Sequence, residues 1–196
     1  MRQLGDVSLA VGDPAHSKEW SMKRNFMPIL AVAVTAATSF IASRPFAAED
    51  AVGEGSPIYG VTIPVGYRQW EVIAPSQEVG LDELRVILGN AISMKAYREG
   101  TLPFPDGAML AKLAWKRVPS PGDDAALGAS TAFVPGAATT VQIMVKDSKR
   151  YAATGGWGFG RFINGKPVDE AQHETCFPCH EFRAKGHDML FTQYAH

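Results

Sequence analysis

Apolar and polar residues alternate along this chain in short stretches, the period-two signature of half-buried strands. Thr139–Lys146 is the clearest, with Val141, Ile143 and Val145 alternating with Gln142, Met144 and Lys146. Leu84–Leu88 (LRVIL) is a branched apolar run that suits another strand. Asn90 then caps a short helix over Ala91–Arg98, which Gly100 stops. Pro103, Pro105, Asp106 and Gly107 make a turn. From Ala108 to Val118 the odd positions Met109, Ala111, Leu113 and Trp115 form an apolar face, while Ala108, Leu110, Lys112, Ala114 and Lys116 form a second, mixed one. This predicts a strand with one unusual face, followed by a loop over Pro119–Thr131.

In the run from Tyr151 to Phe162, Trp157, Phe159 and Arg161 alternate with Gly158 and Gly160, so something flat can lie close to the glycine side. Asn164-Gly165 is a turn, and Pro167–Arg183 carries helix formers. Tyr67–Ile73 is an expected first element after a Gly- and Pro-rich lead-in over residues 49–66. The predicted fold is mainly β: an antiparallel sheet, a few short flanking helices, and a C-terminal helical segment.

The first 48 residues are set apart from that domain. Met22-Lys23-Arg24-Asn25 followed by 17 uncharged residues, Phe26 to Ala42, reads as the basic and apolar regions of a secretory signal, cut between Ala42 and Ala48. An uncleaved membrane anchor is the alternative, diluted by Pro28, Thr35, Thr38 and Ser39. Residues 1–48 are therefore expected to be an N-terminal extension and signal, with Met22 as an alternative start. Residues 49–196 are expected to be one exported, periplasmic domain.

The chain has 196 residues, 46% hydrophobic and 20% charged, with 19 basic against 20 acidic residues. That composition is globular, and without a basic block it gives no footprint for nucleic acid or an anionic membrane. The domain itself keeps 14 basic and 17 acidic residues. Its two cysteines, Cys176 and Cys179, fall in one short stretch, too few for a disulfide scaffold.

That stretch, Cys176-Phe-Pro-Cys179-His180, is the C-x-x-C-H sequence of a covalently attached haem. Both thiols would form thioethers with the porphyrin vinyl groups, and His180 would be the axial iron ligand. A thioredoxin-like dithiol, a plain disulfide and a zinc site are the competing readings. The first lacks a strand-helix-strand frame, and the last lacks a second ligand pair. Met94, Met109, Met144 and Met189 are candidates for the opposite axial position, although Met94 and Met109 suit packing better. His173 and His187, seven residues either side of His180, are expected on the surface.

Phe104-Pro-Asp-Gly107 with the Ala108–Trp115 strand, the segment Val141–Phe162, and CFPCHE followed by Asp188 and Phe191-Thr-Gln-Tyr194 resemble the cytochrome P-460 family, which includes the cytochromes c′-beta. The resemblance spans Tyr67 to His196. It implies a β domain, commonly a homodimer, around one haem c whose open iron face takes a small nitrogenous ligand. Its P-460 members oxidise hydroxylamine and carry a lysine joined to the porphyrin; its c′-beta members lack that link and bind nitric oxide.

Lys112 is the candidate linking and catalytic residue. It shares its strand face with Leu110 and Ala114, where desolvation would lower the amine's pKa. Lys116, in the same phase, is the second choice, and a solvent-facing role is open to both. No carboxylate lies in Phe133–Val141, while Asp106 falls in a turn and Asp123 and Asp124 in a loop, so the base for an oxidation is unassigned. Three functions follow: a hydroxylamine oxidoreductase passing electrons to a soluble cytochrome, a nitric oxide binder with Phe104, Trp115 or Phe133 lining its pocket, and an electron carrier closed by methionine.

Overall fold

The computed structural model describes residues 51–196; the secretory signal, its cleavage site and the alternative start at Met22 lie outside them. The architecture is mainly β, as expected. Six strands form one antiparallel meander in chain order: β3 (Glu71–Glu78), β4 (Glu83–Gly89), β5 (Met109–Pro119), β6 (Phe133–Lys146), β7 (Trp157–Ile163) and β8 (Lys166–Pro167). A small pair, β1 (Ala51–Val52) and β2 (Ile63–Pro64), precedes it. No helix among the described residues is long and apolar enough to cross a membrane.

Local signals set several boundaries. Asn90 accepts from Ser93 N at 3.0 Å and so caps α1 (Ala91–Glu99), and Gly100 ends it in the left-handed region at φ 63°. The Asn90 carboxamide also accepts from Met109 N at 3.1 Å and donates to Gly107 O at 2.8 Å. One polar side chain thus ties the helix start to the start of β5. Asn164 and Gly165, both at positive φ, close the β7–β8 hairpin.

The expected first element begins later than its pattern suggests. Tyr67–Gln69 is a turn of 3-10 helix, and the strand runs on through Pro75, which the sheet edge tolerates. The stretch expected as a loop contains α2 (Pro121–Leu127), with Pro121 in its first turn, Asp123 and Asp124 behind it, and Gly128 as its left-handed stop. None of its residues is buried, so it lacks the apolar periodicity that marks a packed helix. β6 starts at Phe133 rather than Thr139, because Pro135, Gly136 and two alanines break the alternation, while Pro135 and Ala138 still pair with a bulged stretch of β5.

The core explains the unusual face of β5. Leu110 and Ala114 are buried as thoroughly as Met109, Ala111 and Leu113, so the strand is covered on both sides. Trp157, Phe162, Ile73, Met94 and Ile143 are the largest fully buried apolar side chains. The flat group over Gly158 is a side chain of this chain: a Cβ there would stand 2.3–2.7 Å from the Tyr151 ring. The helical tail is two helices, α3 (Glu170–Glu174) and α4 (Cys176–Ala184). Asp169 caps the first by accepting from Gln172 N at 2.9 Å, and Pro178 sits in the first turn of the second, where its missing N–H costs little.

Candidate functional site

Strand register brings a polar row onto one face of the sheet. Ile87, Lys112, Gln142 and Arg161 stand opposite one another across β4, β5, β6 and β7. The adjacent row is Gly89, Leu110, Met144 and Phe159. α4 reaches this face: the His180 ring lies 4.9 Å from Phe159 and 4.7 Å from Phe191, centroid to centroid. The Lys112 charge acts on both Cys176 and His180, so β5 and the C-x-x-C-H segment share one electrostatic environment.

Cys176 is half-buried, Cys179 is exposed, and both are free thiols. Their spacing in α4 puts them on neighbouring turns of one helix side. Burial pushes the Cys176 thiol up, and the Arg161 guanidinium partly offsets this. His180 Nδ1 donates to Met189 O at 2.6 Å, which fixes the tautomer and leaves Nε2 as the lone-pair nitrogen. Burial holds the imidazole below its ordinary range, Lys112 adds to that, and the Met189 carbonyl opposes both. The neutral, ligating form is favoured.

Lys112 is partly buried, and its pKa falls from 10.5 to about 8, through burial first and the Arg85 guanidinium second. Lys116 is exposed and donates to Leu81 O at 3.0 Å, at the β3–β4 turn. Of the two candidates, Lys112 is the amine whose charge reaches Cys176 and His180, and burial lowers its pKa.

A carboxylate missed in the sequence also belongs to this side. Glu83, 6% exposed, accepts from Arg85 Nε at 2.9 Å and Nη2 at 2.8 Å, and from Thr139 Oγ1 at 2.7 Å. Burial alone would raise its pKa, but Thr139 and Arg85 outweigh that and hold it below the ordinary carboxylate range, with Lys112 adding to them. The only sequence signal was a charged residue opening an apolar strand. The acids weighed from the sequence lie elsewhere: Asp106 accepts from Ser148, and Asp123 and Asp124 belong to α2.

Several expectations are corrected. His173 is fully buried rather than on the surface, because its ring bonds the backbone on both sides. Phe133 is 44% exposed, with the Arg117 guanidinium 4.2 Å above its ring. Phe104 is buried against Tyr97 and Trp157, while Trp115 is half-buried beside the β5 bulge. Among the methionines, Met94 packs at Gly89 and Met189 at Gly155, with Met189 on the Nδ1 side of His180. Met109 is core, and Met144 is half-buried in the row with Leu110 and Phe159.

The sheet is antiparallel throughout, which removes the thioredoxin frame from consideration. An antiparallel meander whose C-terminal helix presents two free thiols and a tautomer-fixed imidazole has the makings of a haem protein of the cytochrome kind. The family model for cytochrome P-460 matches residues 64–192, and the chain belongs to that family. No curated protein matches it. Haem is accordingly its cofactor, and the donor set fits one: Cys176 and Cys179 are unpaired, and His180 has one ring nitrogen committed to a carbonyl and the other free to ligate.

Proposed function

We propose that this is an exported mono-haem c-type cytochrome that oxidises hydroxylamine, with nitric oxide as ligand or co-substrate, at an iron face left open opposite His180. Cys176 and Cys179 would hold the porphyrin as thioethers, and His180 Nε2 would bind its iron. When bound, the haem supplies the redox-active iron through which electrons leave the nitrogen substrate. A soluble cytochrome takes those electrons, and the protein works in the periplasm as a homodimer.

The observation that carries this reading is the Lys112 amine. With a pKa of about 8, roughly a tenth of it is unprotonated at pH 7, far more than for an exposed lysine. A neutral amine on the Cys176 and His180 side of the sheet is equipped to bond to the edge of a porphyrin. Arg85 and Arg161 keep that side positive, which disfavours reprotonation of the amine.

Glu83 favours a second reading, a c′-beta-like protein that binds nitric oxide without oxidising hydroxylamine. Its carboxylate is committed to Arg85 and Thr139 and held at low pKa, which makes it a weak acceptor for substrate protons.

The optical spectrum of the reduced, matured protein, with and without nitric oxide, separates the two. A strongly red-shifted main band signals a cross-linked macrocycle and supports the oxidase. An ordinary five-coordinate spectrum that responds to nitric oxide supports the binder, and an unresponsive six-coordinate one overturns both.

A further inference from the structure

Lys146 closes β6 at a position whose alternation predicts a half-exposed side chain, yet it is 5% exposed. Its ammonium donates to Asp188 Oδ1 at 2.8 Å, to Asp188 Oδ2 at 3.0 Å and to Gly155 O at 3.0 Å, and it lies 5.0 Å from the centre of the Trp157 ring. Asp188 also accepts from Phe104 N at 2.8 Å. Both ends of this ion pair are thus enclosed and bonded to backbone, so the position of Asp188 is fixed by the end of the sheet.

Asp188 and the residue after it share an unusual backbone. Asp188 has φ 46° and Met189 φ 66°, two consecutive non-glycine residues in the left-handed region. Such residues persist only where their surroundings hold them, and methionine has no side-chain group to bond its own backbone locally. What this turn accomplishes is visible at its carbonyl. Met189 N donates back to Ala184 O at 2.9 Å, and Met189 O turns to meet His180 Nδ1 at 2.6 Å.

We infer that the buried Lys146–Asp188 pair is a positioning device for His180, acting through the left-handed turn that delivers the Met189 carbonyl to its ring. This inference rests on His180 being the axial ligand. A short bond from Nδ1–H to a fixed acceptor makes Nε2 a stronger donor to a metal, and it sets the rotation of the ring between Phe159 and Phe191. Loosening the turn weakens that bond. Lys146 and Asp188 thereby tune the ligand through the Met189 carbonyl, without bonding to the imidazole themselves.

The test uses the haem-loaded protein, reading the iron–histidine stretching vibration of the reduced state and the midpoint potential. Lys146→Met removes the ammonium, and Asp188→Asn removes the charge while keeping an acceptor and a residue that tolerates the left-handed region. Both should lower the stretching frequency and raise the potential, because a less basic ligand stabilises the oxidised iron less. Ile143→Val, on the same strand but outside the network, should loosen the core and leave both readings in place. Should Lys146→Met fail to fold, Asp188→Asn decides. Parent values in a folded variant, or an equal shift in Ile143→Val, would overturn the inference. Persistence of the parent vibration in His180→Gly would overturn the ligation itself, and the inference with it.

Discussion

The imidazole of His173 accepts the backbone N–H of Arg161 at 3.1 Å through Nε2, and its Nδ1 donates to Asp169 O at 2.9 Å. One fully buried ring thus fastens α3 to β7, immediately before the helix that carries Cys176 and His180. Since a backbone N–H only donates, the ring is held as the neutral Nδ1–H tautomer. His173→Leu keeps the bulk but strands the buried Arg161 N–H and leaves Asp169 O with the His173 backbone N–H alone, at a cost of about 1–3 kcal/mol. Denaturant unfolding of the variant measures it. A loss below about 1 kcal/mol would mean that the ring merely fills space.

Lys112 makes stability depend on pH in a defined window. The amine binds its proton less tightly in the folded state, at about 8, than in the unfolded chain, at 10.5. The unfolded state therefore holds more protons between those values, and stability rises with pH across them. Below about 8 the fold bears the cost of charging a buried amine, roughly 3 kcal/mol. In any protein whose Lys112 is free of the porphyrin, thermal unfolding from pH 7 to 10 should show that rise, and Lys112→Met should lack it while being more stable at pH 7. Parallel curves for the two proteins would contradict the assignment. Where the lysine is linked, Lys112→Met should instead remove the red-shifted optical band.

The order of strands and the site helix were legible because their signals are local. Asn90 and Gly100 bracket α1 by capping alone, and the period-two pattern of Val141 to Lys146 needs no partner to be recognised. The C-x-x-C-H segment declares its own chemistry for the same reason. What escaped the sequence depends on distant contacts. α2 buries nothing, so its proline, acidic and glycine signals had no apolar stripe beside them. His173 looked like a surface residue because its partner, the Arg161 backbone, lies on another element. Glu83 could not be assigned without Thr139, 56 residues away on β6.

Gly158 tests how tightly the far side of β7 is packed. An added Cβ would fall 2.3–2.7 Å from ring atoms of Tyr151, whose hydroxyl donates to Tyr59 O at 3.1 Å. The ring cannot retreat without breaking that bond. Gly158→Ala should cost about 1–3 kcal/mol by overpacking, seen as a lower unfolding midpoint. Combined with Tyr151→Leu, the two losses should sum to less than their separate values, since the smaller side chain relieves the clash. Full additivity would show that the strain lies elsewhere.

Glu83 gives a pH slope of the same sign as Lys112 but in the acid range, and the two are coupled. Its carboxyl is held below 4.5 by Thr139 and Arg85 despite burial, so the unfolded chain takes up a proton first as the solution is acidified. The stability it contributes is full above 4.5 and is lost as pH falls through the folded-state value. Glu83→Gln leaves the Arg85 guanidinium with only Glu78, at 3.4 Å, and should cost about 2–4 kcal/mol at pH 7. The gap between parent and variant should then close below pH 4.5, which acid titration of the unfolding midpoint follows. A gap that stays constant would place the loss in packing rather than charge. Because the Glu83 charge also holds the Lys112 pKa up, the same substitution should move the amine's titration below 8, leaving more of it neutral on the side that faces Cys176. A Lys112 titration unmoved by Glu83→Gln would separate the two residues and remove Glu83 from the site.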